Sequence, residues 1–128
     1  MAAIEVVDDL NADYEAIDAH TLIASGAWNG GCILSDSARN WRSLDLRDVA
    51  GTLIINGVEV DTGRGADVMG HPFEALAWIA NSFAARGKCL LEGEVVLLGS
   101  LVETRWVERG DVVTIEQPGL GSAEARIV

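Results

Sequence analysis

Basic residues are scarce in this chain. Nine Lys and Arg stand against twenty Asp and Glu, the formal net charge is −11, and no basic cluster interrupts that balance. A surface so negative argues against nucleic acid or an anionic membrane as partner. Cysteine is almost as rare: Cys32 and Cys89 lie far apart and match no metal-ligand spacing. Both sit in apolar segments, so buried free thiols in an intracellular, cytoplasmic protein are expected. No apolar run reaches transmembrane length and no basic-then-apolar leader opens the chain, so neither insertion nor secretion is expected. Internal repeats and low-complexity linkers are missing as well. The glycines are wrongly spaced for a P-loop or a dinucleotide fingerprint, and no G-x-S-x-G elbow is present for serine catalysis.

What remains is one domain's worth of chain, 1–128, with nearly half of its residues hydrophobic and therefore able to bury a core. Met1–Val7 reads as a strand from the third residue, followed by an acidic turn at Asp8, Asp9, Asn11 and Asp13 and a short helical turn within Tyr14–His20. A small-residue stretch, Ala24–Gly31, precedes a strand at Cys32–Leu34. Thr52–Thr62 is the clearest hairpin: two β-rich runs flank Asn56-Gly57, a pair that tolerates positive φ and favours a type I′ turn.

Thr62–Asn81 is the most distinctive stretch. Gly63 and Gly65 follow the hairpin, and Gly70-His71-Pro72 opens a helix running to about Arg86, because proline suits the first helical position. Phe73, Leu76, Ala77, Ala80, Phe83 and Ala84 form its apolar stripe, read as buried, and Gly87 is placed to end it in the left-handed conformation. Glycines beside a helix start suit either an anion cradle or a purely architectural junction. Downstream, Glu94–Leu98 reads as a strand buried on both faces, since its apolar run is continuous. Thr104–Val107, Asp111–Ile115 and Ala123–Val128 read as three more strands, with turns at Arg109–Asp111 and Pro118–Gly121. The sum is an α+β, β-dominated domain with one real helix.

Glu5 is the one acidic residue set inside an apolar run. An ionised carboxylate there must be exposed, paired or metal-bound, because burying it bare is too costly. The plain alternative is an outward-facing strand residue. Magnesium suits a carboxylate site that keeps waters and substrate oxygens as further ligands.

From Leu44 onwards the chain resembles the carboxyl half of the bacterial 2-keto-4-pentenoate hydratase and 4-oxalocrotonate decarboxylase family, within the fumarylacetoacetate hydrolase superfamily. The resemblance is carried by GTLIINGVEVDTGRGADVMGHPFEALAWIAN, GEVVLLGSL and WVERGDVVTIEQPGLGSAEARI, and the opening IEVVDD resembles the strand bearing one metal-binding glutamate. It implies a mixed β-roll or barrel with one long helix packed on it, and Glu5 as a ligand of Mg²⁺ or Mn²⁺. It also implies a Gly99-Ser100 loop whose amides reach a substrate carboxylate, with a plain turn as the alternative. Ser25-Gly26 stands where the family has an Asp-Asn pair, so Ser25 is the substrate-side group left there. The family's Glu-x-Glu ligands and catalytic lysine belong to an amino-terminal portion with no counterpart here, so the catalytic residues are unknown.

The resemblance therefore implies a subunit or half of a divalent-metal-dependent hydratase acting on 2-hydroxy-2,4-dienoates, which give 2-oxo acids. The alternatives are a component of a 2-oxo-3-enedioate decarboxylase and a non-catalytic partner subunit. A second chain carrying the amino-terminal half is expected as partner, and oligomeric association with it, because an unpartnered core exposes apolar surface. His71 is assigned to shaping the helix entry rather than to proton transfer.

Overall fold

The computed structural model describes residues 1–128. Its strands are β1 (Ala3–Val7), β2 (Asn29–Leu34), β3 (Ala50–Ile55), β4 (Val58–Arg64), β5 (Val112–Gln117) and β6 (Gly121–Arg126). Two helices, α1 (Ala19–Ala24) and α2 (Pro72–Ala84), complete the regular elements, and neither is long and apolar enough to cross a membrane. β1 and β2 pair into an antiparallel ribbon, while the other strands form an open antiparallel sheet in the order β4-β3-β5-β6. The fold is thus α+β and sheet-rich, as the sequence indicated.

Alternation along β3, β5 and β6 creates one apolar face. Leu53 pairs with Ile115, which pairs in turn with Ala123, and all three are buried together with Val113. Directly opposed residues share a face, so this row is continuous across the sheet. The ribbon closes over one end of it through Ala2, with Ile4 and Ile33 packed alongside. Ser35 fastens that corner: its hydroxyl accepts from the Ala2 amide at 2.9 Å, and its own amide donates to the Ala2 carbonyl at 3.0 Å.

The hairpin forms where expected. Asn56 and Gly57 have φ of 52° and 79°, as a type I′ turn demands. Asn56 also binds across the sheet, donating to Asp111 at 2.8 Å and accepting from the Val112 amide at 2.9 Å.

The glycines after the hairpin serve close approach. Gly51 and Gly63 oppose one another on β3 and β4, and Leu101 crosses the sheet over that bare pair. A Cβ at Gly63 would lie 1.8 Å from the Leu101 carbonyl oxygen, and one at Gly65 equally near the Leu46 carbonyl oxygen. Neither position permits any side chain. The architectural alternative accounts for both glycines.

α2 begins at Pro72, and His71 caps it, its Nδ1 accepting from the Phe73 amide at 3.0 Å. Gly87, with φ 69°, ends it: the Lys88 amide bonds the Phe83 carbonyl and the Gly87 amide bonds that of Ala84, the two bonds of a Schellman motif.

Several expectations fail. No residue of α2 is buried, and Trp78 is 63% exposed. The stripe is real, but no strand packs along it, and the helix is held at its start, where Phe73 meets Trp41 edge-on at 5.8 Å. The long helix is therefore not packed on the sheet. Glu94–Leu98 and Thr104–Val107 form no strands, and Val95 is exposed. A continuous apolar run becomes a central strand only when neighbours bond both of its edges, and here neither edge finds one. The early helix lies at Ala19–Ala24, because Asp18 caps it by accepting from the Thr21 amide at 2.7 Å. Both cysteines are free, but exposed rather than buried. Cys32 pairs directly with Glu5 across the ribbon, and both are exposed.

Candidate active site

Between the ribbon, the apolar face of the sheet and the irregular segment 96–107 lies a wide cavity of about 1310 Å³. Leu53, Val113 and Ile115 form its floor, and β1 with the following turn forms one wall. This is the setting expected of a ligand site: concave, mostly apolar, with few polar groups.

Three of the sequence-predicted groups border it: Glu5, Gly99 and Ser100. Glu5 is exposed on β1 and takes part in no ion pair, so its carboxylate oxygens are available. No cluster of three His, Cys, Asp or Glu side chains able to hold a metal ion exists within the chain. Glu5 is a hard oxygen donor of the kind magnesium takes, but one carboxylate on a strand is a single ligand. Gly99 has φ 120°, and the main-chain amides of Gly99 and Ser100 donate to no acceptor in the protein. The Ser100 hydroxyl is turned back onto the Val102 carbonyl, which leaves those amides as the loop's available donors.

The structure does not bring Ser25 to the cavity. Its hydroxyl donates to the Leu22 carbonyl at 2.9 Å and closes the end of α1. The turn it begins carries Trp28 to the rim instead, with Ala27 and Trp28 both in the left-handed region at φ 52° and 60°. Such non-glycine conformations cost on the order of 1 kcal/mol or more each. Trp28 meets Tyr14 edge-on at 5.5 Å, and the Tyr14 hydroxyl donates to Asp9 at 2.8 Å, a bond that raises the phenol's pKa. Sequence reasoning missed this aromatic pair. A tryptophan among glycines and a tyrosine in an acidic turn carry no periodicity that points inward.

Asp61 was also missed. It anchors the segment that follows Ser100, accepting from the Glu103 amide at 3.2 Å and from Arg105 at 3.0 Å. The Glu103 amide first, then Arg105 and the Thr62 amide, hold its carboxyl below the usual carboxylate range. The Gly99-Ser100 turn is thus positioned twice, by the bare glycine pair beneath Leu101 and by Asp61 beyond it.

The family described as Fumarylacetoacetate (FAA) hydrolase C-terminal matches residues 13–128. The chain belongs to that family. This FAA hydrolase domain is 32% identical to a 4-oxalocrotonate decarboxylase of Pseudomonas putida over 98% of its own length and 47% of the relative's. It is 35% identical to a 2-keto-4-pentenoate hydratase of Paraburkholderia xenovorans, over 94% and 44% respectively. Among solved structures, the 4-oxalocrotonate decarboxylase of Pseudomonas putida G7 complexed with magnesium and adipate superposes with a TM-score of 0.87 at 30% identity. That match covers 98% of this chain and 48% of the other. The same enzyme complexed with calcium and acetate gives a TM-score of 0.84 at 32% identity. The FAA hydrolase domain therefore spans about half the length of the curated relatives it matches.

Proposed function

We propose that the chain supplies one half of a divalent-metal-dependent lyase site that adds water to a 2-hydroxy-2,4-dienoate, and that a complementary polypeptide supplies the other half. The observation that carries this reading is that Glu5 and the free amides of Gly99 and Ser100 line the same apolar cavity. The relatives' names and the metals in the solved decarboxylase structures support it.

In this reading the Glu5 carboxylate would supply one ligand to a Mg²⁺ or Mn²⁺ ion, and the remaining ligands would come from the complementary polypeptide. When bound, such an ion supplies Lewis acidity at the 2-oxo and carboxylate oxygens of the substrate. The donor set within this chain is incomplete, since Glu5 is its single carboxylate on β1. Gly99 and Ser100 amides donate to the substrate carboxylate, as preorganised main-chain dipoles in a low-dielectric site do well. Leu53, Val113 and Ile115 exclude bulk water beneath the diene. Ser25 contributes only if its hydroxyl leaves Leu22 and swings with the turn that bears Trp28. The two open sheets close into the roll of the superfamily, with α2 packed, once the complementary half is in place.

One observation favours a second reading, decarboxylation of a 2-oxo-3-enedioate: both solved structures described above are decarboxylases. The test mixes the purified chain with the amino-terminal half of the Pseudomonas putida decarboxylase, the part this chain does not match. A 2-hydroxydienoate and Mg²⁺ are added, and loss of dienol absorbance is followed alongside CO₂ release from the dicarboxylic analogue. Turnover is expected, and Glu5→Gln should lower it by roughly a hundredfold or more, as loss of a ligand exceeds the ~10–100-fold cost of a supporting group. Turnover that Glu5→Gln leaves unchanged sinks the assignment.

A further inference from the structure

The run Val95–Leu101 is unusual within the molecule. It lies outside every helix and strand, and none of its N–H or C=O groups takes part in any of the 60 main-chain hydrogen bonds. Side chains do not compensate: the Ser100 hydroxyl bonds only to Val102, and the Glu94 carboxylate only to Leu91. Protein backbone groups near an apolar core are nearly always paired, so a run of seven residues without a partner marks a missing neighbour. Its side chains tell the same story. Val95 is 54% exposed, although Val95-Val96-Leu97-Leu98 is an unbroken run of aliphatic side chains.

We propose that Val95–Leu101 is a docking edge to which the complementary amino-terminal polypeptide adds an extended strand through main-chain hydrogen bonds. This rests on the reading of a two-polypeptide site given above, and it specifies where and how the two halves join. Strand addition suits the run, since the backbone ladder gives affinity and alternate side chains enter pockets on either side. Two observations favour that occupant over a second copy of this chain. Each copy carries −11, so two copies repel one another. The solved decarboxylase holds the same fold, at a TM-score of 0.87, in a chain of which this domain is 48%. The remaining part of that chain lies outside the match. The new strand would also fix Gly99 and Ser100 at the cavity, linking assembly to the site.

The test uses amide hydrogen exchange on the full chain, alone and mixed with the amino-terminal half of the Pseudomonas putida decarboxylase. Amides 95–101 should exchange near the intrinsic rate in the free chain and slow by at least about tenfold in the mixture. Val96→Pro and Leu97→Pro separate a ladder from simple apolar contact. Both amides are unbonded in the free chain, so neither variant removes an existing bond, and unchanged urea unfolding verifies folding. In a ladder, successive amides face opposite edges, so one of the two prolines should abolish the complex and the other should weaken it only slightly. Equal tolerance of both prolines overturns the proposal. So does protection of 95–101 that rises with the concentration of the chain alone, which identifies a second copy. Turnover without protection at 95–101 refutes the docking edge and keeps the enzymatic reading. Protection without turnover does the reverse, and absence of any complex removes both.

Discussion

Replacing Gly63 and Gly51 by alanine gives a sharp test of how the Gly99-Ser100 turn is held. At Gly63 the new Cβ falls 1.8 Å from the Leu101 carbonyl oxygen and 2.8 Å from its carbon, whereas real Cβ contacts stay beyond 3.0 Å. Backbone cannot rotate aside, so the segment must lift by more than 1 Å. Lifting removes the Glu103 amide from Asp61, about 1 kcal/mol for a hydrogen bond of this kind. It strips the half-buried Leu101 of its packing, again about 1 kcal/mol. It also loosens the exposed Arg105–Asp61 pair, worth roughly 0–1 kcal/mol. Against this, alanine restricts the unfolded chain, returning about 0.4–1 kcal/mol. The net loss is about 2 kcal/mol, or roughly 6–10 °C in Tm for a domain of this length. At Gly51 the nearest atom is instead Leu101 Cδ1 at 2.5 Å, the end of a flexible side chain that can turn away. Gly51→Ala should therefore cost under about 1 kcal/mol, as one methyl of mild overpacking does. Urea titration gives both values, and the Glu103 amide resonance should move only in Gly63→Ala. A Gly51→Ala loss equal to or larger than that of Gly63→Ala refutes the reasoning, because backbone and side-chain obstruction would then be indistinguishable.

Asn56→Ala should cost about 1–3 kcal/mol in the same titration, since it removes two cross-sheet hydrogen bonds and places alanine at positive φ. Loss of the imidazole acceptor in His71→Ala should destabilise the first turn of α2 by about 1 kcal/mol, visible as reduced helical ellipticity at 222 nm. Acid should unfold the protein through carboxyls that are held deprotonated in the fold. Arg47 draws Asp45 down to about 2, the Glu108 amide with Asn56 lowers Asp111, and Asp61 is lowered as described. Folded pKa values below unfolded ones mean stability that is complete above about pH 4 and lost as pH falls towards 2. Urea midpoints measured across that window should fall, and less steeply at high salt because these groups are exposed. A midpoint that stays flat to pH 2 contradicts the assignment.

The parts of this fold legible in the sequence are those fixed locally. Asn56-Gly57 sets its own turn because few residues accept positive φ, while His71-Pro72 starts α2 and Gly87 stops it through local capping. The β-rich runs at Thr52–Thr62 and Asp111–Ile115 are likewise legible as strands, and they become β3, β4 and β5. Burial was not legible wherever it depends on a neighbour. The α2 stripe and Val95–Leu98 have the pattern of buried elements, yet nothing within the 128 residues covers them. The cysteines were misread for the same reason, since an apolar segment does not say which of its faces is turned outward. At the site, Glu5 stood out because a charge in an apolar strand is anomalous. Trp28, Tyr14 and Asp61 did not, because their roles arise from contacts of long sequence separation or from a strained turn.

The seam between β3 and β5 also governs how the chain folds. β3–β4 and β5–β6 are local hairpins, each closing over a short turn, but the two meet only by joining residues 55 apart, as at Asn56 and Asp111. Closing so long a loop is entropically slow, and non-local pairing is generally the late event in β-rich folding. Both hairpins therefore form early, each with its apolar row uncovered, and zip together last. Until that seam closes, Leu53 and Ile115 face solvent, so the interval before docking is when the nascent chain is most open to wrong pairing and most in need of its proper company.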